Sequence, residues 1–269
     1  MLVLKKKIWL SNHYWFKDLR KNKIKISVVI STCDRTKQLR SAIKSVLRQS
    51  IRPFEILIIN NGKLSIKKKD IQKNIIIKVK NITPYIGIAT ARNVGGINAK
   101  GDYVAFLDDD DFWPKNYLKN FINEIDKTYD CFICKIVGFN NNIFFKWKTP
   151  TISKIKIQNL FIKNPGINGS NLIVKKKVFK DCLFDKKLKT GEDKSFIIDL
   201  LLKNKKVKIL KKSYSYYYAS KDKTKLSHSS NVLIGKVSFL KKYFFQMDFK
   251  TKIKILLQVY YLLLKNFKK

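Results

Sequence analysis

Residues Lys100 to Trp113 read KGDYVAFLDDDDFW. Tyr103 to Leu107 form a short, wholly apolar run rich in strand-forming side chains, which predicts a buried strand. The run passes without a break into Asp108, Asp109, Asp110 and Asp111, and Phe112-Trp113 follow at once. An isolated acidic run is usually a solvated turn. This one is held between a buried strand and two large aromatics, which argues for a site. Acids are also scarce: the chain has 269 residues with 58 Lys and Arg but only 19 Asp and Glu, and five of those 19 fall between Asp102 and Asp111.

The neighbouring segments alternate strand with helix. KIKISVVI (Lys23 to Ile30) predicts a buried strand that stops at Ser31-Thr32-Cys33-Asp34. In TKQLRSAIKSVLRQS, Leu39, Ala42, Ile43, Val46 and Leu47 fall at helical spacing. Phe54 to Asn60 predicts a second apolar strand, ending at Asn61-Gly62, and Asn74 to Lys80 a weaker third. IGIATARNVGGINAKG predicts a helix that Gly101 ends. Pro114 suits the first turn of the next helix, where Leu118, Phe121, Ile122 and Ile125 share a face. This alternation predicts an α/β fold with a doubly wound, mostly parallel sheet. Such sheets bind ligands beyond the carboxyl ends of their strands. Ser31 to Asp34, Asn60-Asn61 and Asp108 to Asp111 therefore gather on one rim.

The second half is less regular. Asn164-Pro165-Gly166 and Asn168-Gly169-Ser170 are turn signals. NLIVKK predicts a strand, Gly191-Glu192-Asp193 opens the helix SFIIDLLLKN, and the strand KVKIL precedes Tyr214, Tyr216, Tyr217 and Tyr218. Those tyrosines either line a groove or alternate on a half-buried strand, and the second is favoured. The last ~40 residues are apolar, aromatic, basic and helical in pattern.

Composition narrows the class. The apolar share of 45% excludes a disordered basic tail. The net charge of +39 invites a polyanionic partner, but only six of the basic residues are Arg, none beyond Arg92. Nucleic-acid readout favours the bidentate guanidinium, so no nucleic-acid partner is expected. Coding bias and a selected anionic partner both remain open as sources of the lysines. Cys131 and Cys134 form a lone C-x-x-C inside the apolar run CFICKIVGF, without a second pair to complete a zinc site, and are expected to be buried thiols in a reducing compartment. The N-terminus does not read as a secretory signal. Ile253 to Leu264 is too short to cross a bilayer, which needs about 20 apolar residues.

An acidic strand end suits a hard divalent cation shared with substrate phosphates. Asp108 and Asp110 are separated by one residue, so an extended chain points both to one side. Such a pair can hold a metal that grips a diphosphate and offsets the charge of its departure.

SVVISTCDR, FEILIINNG, ATARNVG-x4-KGDYVAFLDDDD and FDKKLKTGED, in that order from about Lys25 to Leu210, resemble the successive blocks of family 2 glycosyltransferases with the GT-A fold. The resemblance implies a Rossmann-like sheet with helices on both faces, followed here by a helical basic tail. It implies nucleotide contacts at Ser31, Cys33, Asp34 and Asn61, where many members carry Asp at the positions of Asn60 and Asn61. It further implies Arg92 near the nucleotide or its phosphates, Asp109 beside them, and Mn²⁺ or Mg²⁺ on Asp108 and Asp110. Asp111 orients the donor sugar or the following turn. Asp193 is expected as the general base with Glu192 in support, and Gly169-Ser170 as an acceptor-facing loop. A downstream His in some relatives contributes to the metal or the diphosphate, and His228 is either that residue or a surface histidine.

The expected organisation is a basic N-terminal extension (1–24), a GT-A domain (25–230, nucleotide half about 25–111, acceptor half about 112–230) and a basic aromatic tail (231–269). The expected activity is inverting transfer of a hexosyl or N-acetylhexosaminyl group from a nucleotide-diphospho-sugar, with UDP favoured. The expected acceptor is a glycan or a lipid-linked acceptor in cell-surface polysaccharide or lipo-oligosaccharide synthesis. The Q-x-x-R-W block of processive synthases is absent, which favours single-sugar addition. The basic, aromatic ends suit an anionic membrane surface, giving a cytoplasmic protein peripheral to the inner face of the cell membrane. A nucleotidyltransferase on a similar sheet is the enzymatic rival, disfavoured by the missing Gly-rich phosphate loop. A basic nucleic-acid binder leaves DDDD and GED unexplained.

Overall fold

The computed structural model describes residues 24–66, 76–140, 143–147, 150–151, 155–219 and 229–267. Strand β1 (Ile26–Thr32) shows why its sequence turns fully apolar. Val29 enters one hydrophobic core and Val28 and Ile30 enter another, on the opposite face of the sheet. The first core is completed by Ala89 and Ala91 of α2 (Ile88–Asn98), and the second by Leu39, Ala42, Ile43 and Val46 of α1 (Thr36–Leu47). A strand covered on both faces has no polar face to alternate with.

The remaining strands are β2 (Glu55–Asn60), β3 (Ile77–Asn81), β4 (Tyr103–Asp108), β5 (Cys131–Asn140), β6 (Ile143–Lys146), β7 (Leu172–Lys175) and β8 (Val207–Tyr218). They form a single sheet in the order β3-β2-β1-β4-β7-β5-β6, with β8 also paired to β5. The first four are parallel, and β8 is parallel to β5, while β7 runs antiparallel to both β4 and β5. The other helices are α3 (Tyr117–Glu124), α4 (Ile157–Ile162), α5 (Glu192–Leu202), α6 (Ser229–Tyr243) and α7 (Phe249–Phe267).

Several boundaries differ from expectation. β1 runs on to Thr32, because Ser31 pairs with Asp108 and Thr32 with Asn60. That register brings the three polar strand ends level. α3 begins at Tyr117, and the Pro114 carbonyl accepts both Tyr117 N–H and Gln49 Nε2, so the proline closes the preceding turn. The tyrosines of 214–218 belong to β8, which continues from KVKIL through a register shift against β5 between Ile209 and Tyr214.

Cys131 and Cys134 are three residues apart on one strand, which puts their side chains on opposite faces. Cys131 lies in the core with Phe106 and Cys134 in the core with Tyr103. Two thiols so divided cannot share a metal or a disulfide.

Gly95 explains part of the ARNVGG block. A Cβ there would run into Val29 of β1, so glycine lets α2 lie close on the sheet. The described residues of the 231–269 segment form most of α6 and all of α7, which dock on the domain. Phe239, Tyr243, Met247 and Ile255 are buried in the same core as Phe106 and Phe196. Tyr243 OH donates to Asp199 Oδ1 of α5 at 2.7 Å, and Lys242 Nζ lies 2.7 Å from Asp199 and 2.9 Å from Asp185. Among the described residues no helix is long and apolar enough to cross a membrane.

Candidate active site

The four aspartates after β4 divide into two kinds. Asp109 and Asp111 turn inward. Asp109 Oδ2 accepts Thr32 Oγ1 at 2.7 Å and its Oδ1 accepts Arg35 Nη1 at 3.2 Å, which ties the end of β1 to the end of β4. Burial pushes the Asp109 carboxyl up to about 6, even though Thr32 and Arg35 pull it down. Asp111 accepts Ser170 Oγ at 2.5 Å and Tyr218 N–H at 2.9 Å, and burial raises its carboxyl well above the usual range. Asp108 and Asp110 keep side-chain exposures of 25% and 16%, and each meets a cation: Asp108 meets Arg92 at 2.7 Å and Asp110 meets Arg35 at 3.3 Å.

Arg92 is the hub. It projects from α2, is 3% exposed, and donates from Nη2 to Asp108 Oδ1 and from Nη1 to Glu192 Oε1 at 2.6 Å. Its guanidinium lies 5.6 Å from the Phe184 ring centre. Burial works against its charge, but Asp108 and then Glu192 outweigh it, so the group stays protonated. Gly169 makes room for it, since a Cβ there would run into Arg92 Nη2. A planar fork can hold two carboxylates at once in fixed geometry. Arg92 thus links the β4 rim to the first residue of α5, 100 positions further along the chain.

Asp193 follows Glu192 in the first turn of α5. Its Oδ1 accepts Lys194 N–H at 2.6 Å. Burial, then the neighbouring Glu192, push its carboxyl up to about 7 against the pull of Arg92. A carboxylate at a helix N-terminus is an ordinary stabilising feature. One held near neutrality beside a rim of acids can also exchange a proton at working pH.

Gly169 and Ser170 differ from expectation. Ser170 is fully buried, donates to Asp111, accepts Asp108 N–H at 3.0 Å through Oγ, and receives Trp113 Nε1 on its carbonyl at 2.9 Å. The loop therefore sits beneath the acidic rim and braces it, and does not face an acceptor. β7 inserts beside β4 and carries this preceding loop to the underside of Asp108. Asp109 is likewise enclosed, at 5% exposure, its oxygens taken by Thr32 and Arg35.

The nucleotide-side residues lie on the same rim. Asp34 is exposed, in the left-handed region at φ 55°, and accepts Leu64 N–H and Tyr85 OH, which hold its carboxyl below the usual range. Cys33 Sγ donates to Asn61 O at 3.6 Å. The Asn61 carboxamide oxygen accepts Ile86 N–H at 2.9 Å, fixing the loop that leads into α2. Asn60 anchors the loop after β2 through Leu64 O, Asn81 Oδ1 and Gly62 N–H. Ser31 Oγ is buried without a hydrogen-bond partner beside Asp108 in the sheet register. His228 lies outside the described residues, as does nearly all of the N-terminal extension.

Three rim residues escaped sequence reasoning. Arg35 stands in the quoted STCDR block, yet only its span from Asp109 to Asp110 gives it a role. Tyr85 is marked only by its bond to Asp34. Tyr217, on β8, packs its ring against Trp147 and has its hydroxyl pushed up to about 12 by burial and then by the charges of Asp111, Asp110, Asp108 and Asp193. Nothing local separates it from the tyrosines on either side.

The donor set bears on a metal. Among the described residues no group of three or more His, Cys, Asp or Glu could hold one. Asp108 and Asp110 each meet an arginine through one carboxylate oxygen and stay partly exposed at the rim. Two hard oxygen donors with an open remainder fit Mg²⁺ or Mn²⁺ that completes its shell with substrate phosphate and water.

A mixed, mostly parallel sheet whose rim carries an acidic pair, a buried arginine and a helix-borne carboxylate matches a GT-A-type, Rossmann-like transferase domain. The family model described as "Glycosyl transferase family 2" matches residues 27–183, and the chain belongs to that family. An uncharacterized glycosyltransferase of Rickettsia conorii is 33% identical over 208 residues, 68% of this chain and 31% of its own length. The poly(ribitol-phosphate) beta-N-acetylglucosaminyltransferase TarS of Staphylococcus aureus is 25% identical over 74% of this chain and 36% of its own length. This chain thus spans about a third of either relative. An uncharacterized glycosyltransferase of Haemophilus influenzae is 31% identical over 89% of this chain and 94% of its own length. The crystal structure of TarS residues 1–349 in complex with UDP-GlcNAc superposes with a TM-score of 0.61 at 22% identity, covering 88% of this chain and 71% of that one, and shows the shared fold.

Proposed function

We propose that the protein is an inverting glycosyltransferase that moves one hexosyl or N-acetylhexosaminyl group from a UDP-sugar to a glycan or lipid-linked acceptor in cell-surface polysaccharide or lipo-oligosaccharide synthesis. One observation carries the reading: Arg92 joins Asp108 of the acidic pair to Glu192, directly beside Asp193, whose carboxyl is raised to about 7. A diphosphate clamp and a proton acceptor are thereby fixed on a single rim. The UDP-GlcNAc held in the TarS crystal structure supports the choice of donor.

In this reading Asp193 takes the acceptor hydroxyl proton as that oxygen attacks the anomeric carbon opposite the diphosphate. Glu192 holds Arg92, and Arg92 holds Asp108 in place for the phosphates. Asp34 and Asn61 border the base and ribose, and Ser31 offers its unpartnered hydroxyl beneath the phosphates. Mn²⁺ or Mg²⁺ on Asp108 and Asp110 would offset charge on the departing diphosphate.

A panel of nucleotide sugars in thermal shift, with and without Mn²⁺, tests the assignment. Metal-dependent stabilisation by one nucleotide supports it and names the base. No stabilisation by any nucleotide counts against it.

We further propose a peripheral position on the inner face of the cell membrane, with α7 as the contact. Ile253, Leu256, Leu257, Tyr260, Tyr261 and Leu264 are exposed at i, i+3, i+4, i+7, i+8 and i+11. Phe245 and Phe249 stand 89% and 79% exposed near its start, among Lys241, Lys250, Lys252 and Lys254. An outward apolar stripe with aromatic and cationic borders matches an anionic lipid interface.

A further inference from the structure

Beside the N-terminus of α5, α4, α6 and α7 enclose a cavity of about 230 Å³ that the transfer chemistry above does not use. Phe161, Thr190, Gly191, Lys194, Gly235 and Lys236 are among its lining residues. Lys194 Nζ donates to Phe161 O at 3.3 Å and sits 3.9 Å from the Phe239 ring centre. Lys236 Nζ donates to Gln258 Oε1. These partners are neutral, and an ammonium has three N–H groups to place. Among the described residues neither lysine has a carboxylate within ion-pairing distance. Lys242, on the same helix as Lys236, pairs with both Asp185 and Asp199. Burial and then the charge of Lys236 bring Lys194 down to about 7, and burial lowers Lys236 as well. Two amines without a carboxylate partner in a partly dry cavity would both be favoured in their charged form by an anion placed between them.

The cavity continues outward. Val232, Lys236 and Gln258 also line a groove of about 330 Å³ between α6 and α7, whose other walls are Leu257, Tyr261 and Leu262. Leu257 and Tyr261 belong to the exposed stripe of α7 as well. Along this line the surface changes from an apolar face, to an apolar groove, to a pair of lysines, one of which, Lys194, is the neighbour of Asp193 in the chain. The order matches an amphiphile lying with its chain outward and its charged group inward.

We propose that the groove and cavity form an acceptor subsite for a lipid-linked phosphate, the hydrocarbon chain lying between α6 and α7 and the phosphate held by Lys194 and Lys236. The assignment rests on the reading of Asp193 as the base, and it narrows the acceptor from any glycan to a phosphate-bearing lipid. Gly235 contributes to the shape, since a Cβ there would run into Thr190 Oγ1 and force α6 away from the α5 entrance.

Calorimetric titration of the full chain with dodecyl phosphate, below its micelle concentration, and with inorganic phosphate tests the proposal. Dodecyl phosphate is expected to bind at least ~10-fold more tightly than inorganic phosphate, because its chain fills the groove. The pair Lys194→Met and Lys236→Met is expected to weaken dodecyl phosphate by ~10-fold or more, since each charge-assisted contact is lost. Leu257→Asp is expected to weaken dodecyl phosphate and leave inorganic phosphate unchanged. Lys236→Gln, at the more open position, provides the same readout if the double variant fails to fold. Unchanged dodecyl phosphate affinity in a folded lysine variant overturns the subsite, and so does dodecyl phosphate binding no tighter than inorganic phosphate. UDP binding is measured on the same samples. Loss of the phosphate result with UDP intact sinks the subsite alone, whereas dodecyl phosphate binding without any nucleotide binding sinks the transferase reading and the acceptor role with it, leaving only a lipid-phosphate site.

Discussion

The two halves of the domain, residues 25–111 and residues 112–219, reach the same rim by different routes. In residues 25–111 the site arrives on strand ends. β1, β2 and β4 are parallel and in register, so Ser31, Thr32, Asn60 and Asp108 come level by topology alone. In residues 112–219 it arrives on a buried loop, a helix start and a late strand. Ser170, Glu192 and Tyr217 are brought in by β7, by α5 and by β8 respectively. The first half builds its site from contiguous motifs, and the second builds it from side-chain contacts. Arg92 holds the two together.

Cutting that link gives the largest expected effect. Arg92→Met leaves Asp108 and the buried Glu192 facing each other unpaired. Removing one partner of a buried ion pair costs about 3–5 kcal/mol, which urea unfolding would read, and transfer should vanish. A variant as stable as the parent would mean that the halves do not depend on the bridge. Asp110→Ala should leave the fold intact, because Arg35 retains Asp109, and should abolish transfer in a sugar-release assay. Wild-type activity there would remove the metal clamp from the argument.

Asp193→Asn tests the second half alone. Losing a general base typically costs ~10²–10⁴-fold in kcat, while UDP affinity should hold. The wild-type pH profile sharpens the same point. A raised carboxyl is protonated below its own pKa, so kcat should rise with pH through about 7 and flatten above it. A profile flat between pH 5 and 8 would point to another base. Smaller still, Phe249→Ser with Tyr260→Ser should reduce sedimentation with anionic vesicles by a few-fold, as expected when apolar area is removed from an interface. Transfer to a soluble acceptor should be unaffected. Unchanged sedimentation would detach α7 from the membrane.

Much of the fold was legible because its first half follows local rules. Apolar runs gave β1, β2 and β4, helical spacing gave α1 and α3, and strand–helix alternation gave a mostly parallel sheet. The inward turn of Asp109 and Asp111 was not legible, since four identical residues carry no mark of which face the protein. Gly169-Ser170 misled for a related reason. A turn signal states that the chain bends, not which side of the sheet the bend lies on. The C-terminal segment has a helical pattern in sequence, but only Phe239, Tyr243 and Ile255 show which side is docked and which is left outward.

The sequence by itself determined the alternation of elements, the acidic strand end and the family, because these depend on neighbours within a few residues. The tertiary structure alone decided that Arg92 spans Asp108 and Glu192, that Ser170 lies under the rim, and that Lys194 and Lys236 share a cavity. Those pairings join positions up to 100 residues apart. Long-range charge pairing and burial exist only once the sheet has brought distant segments together, and no local pattern encodes them.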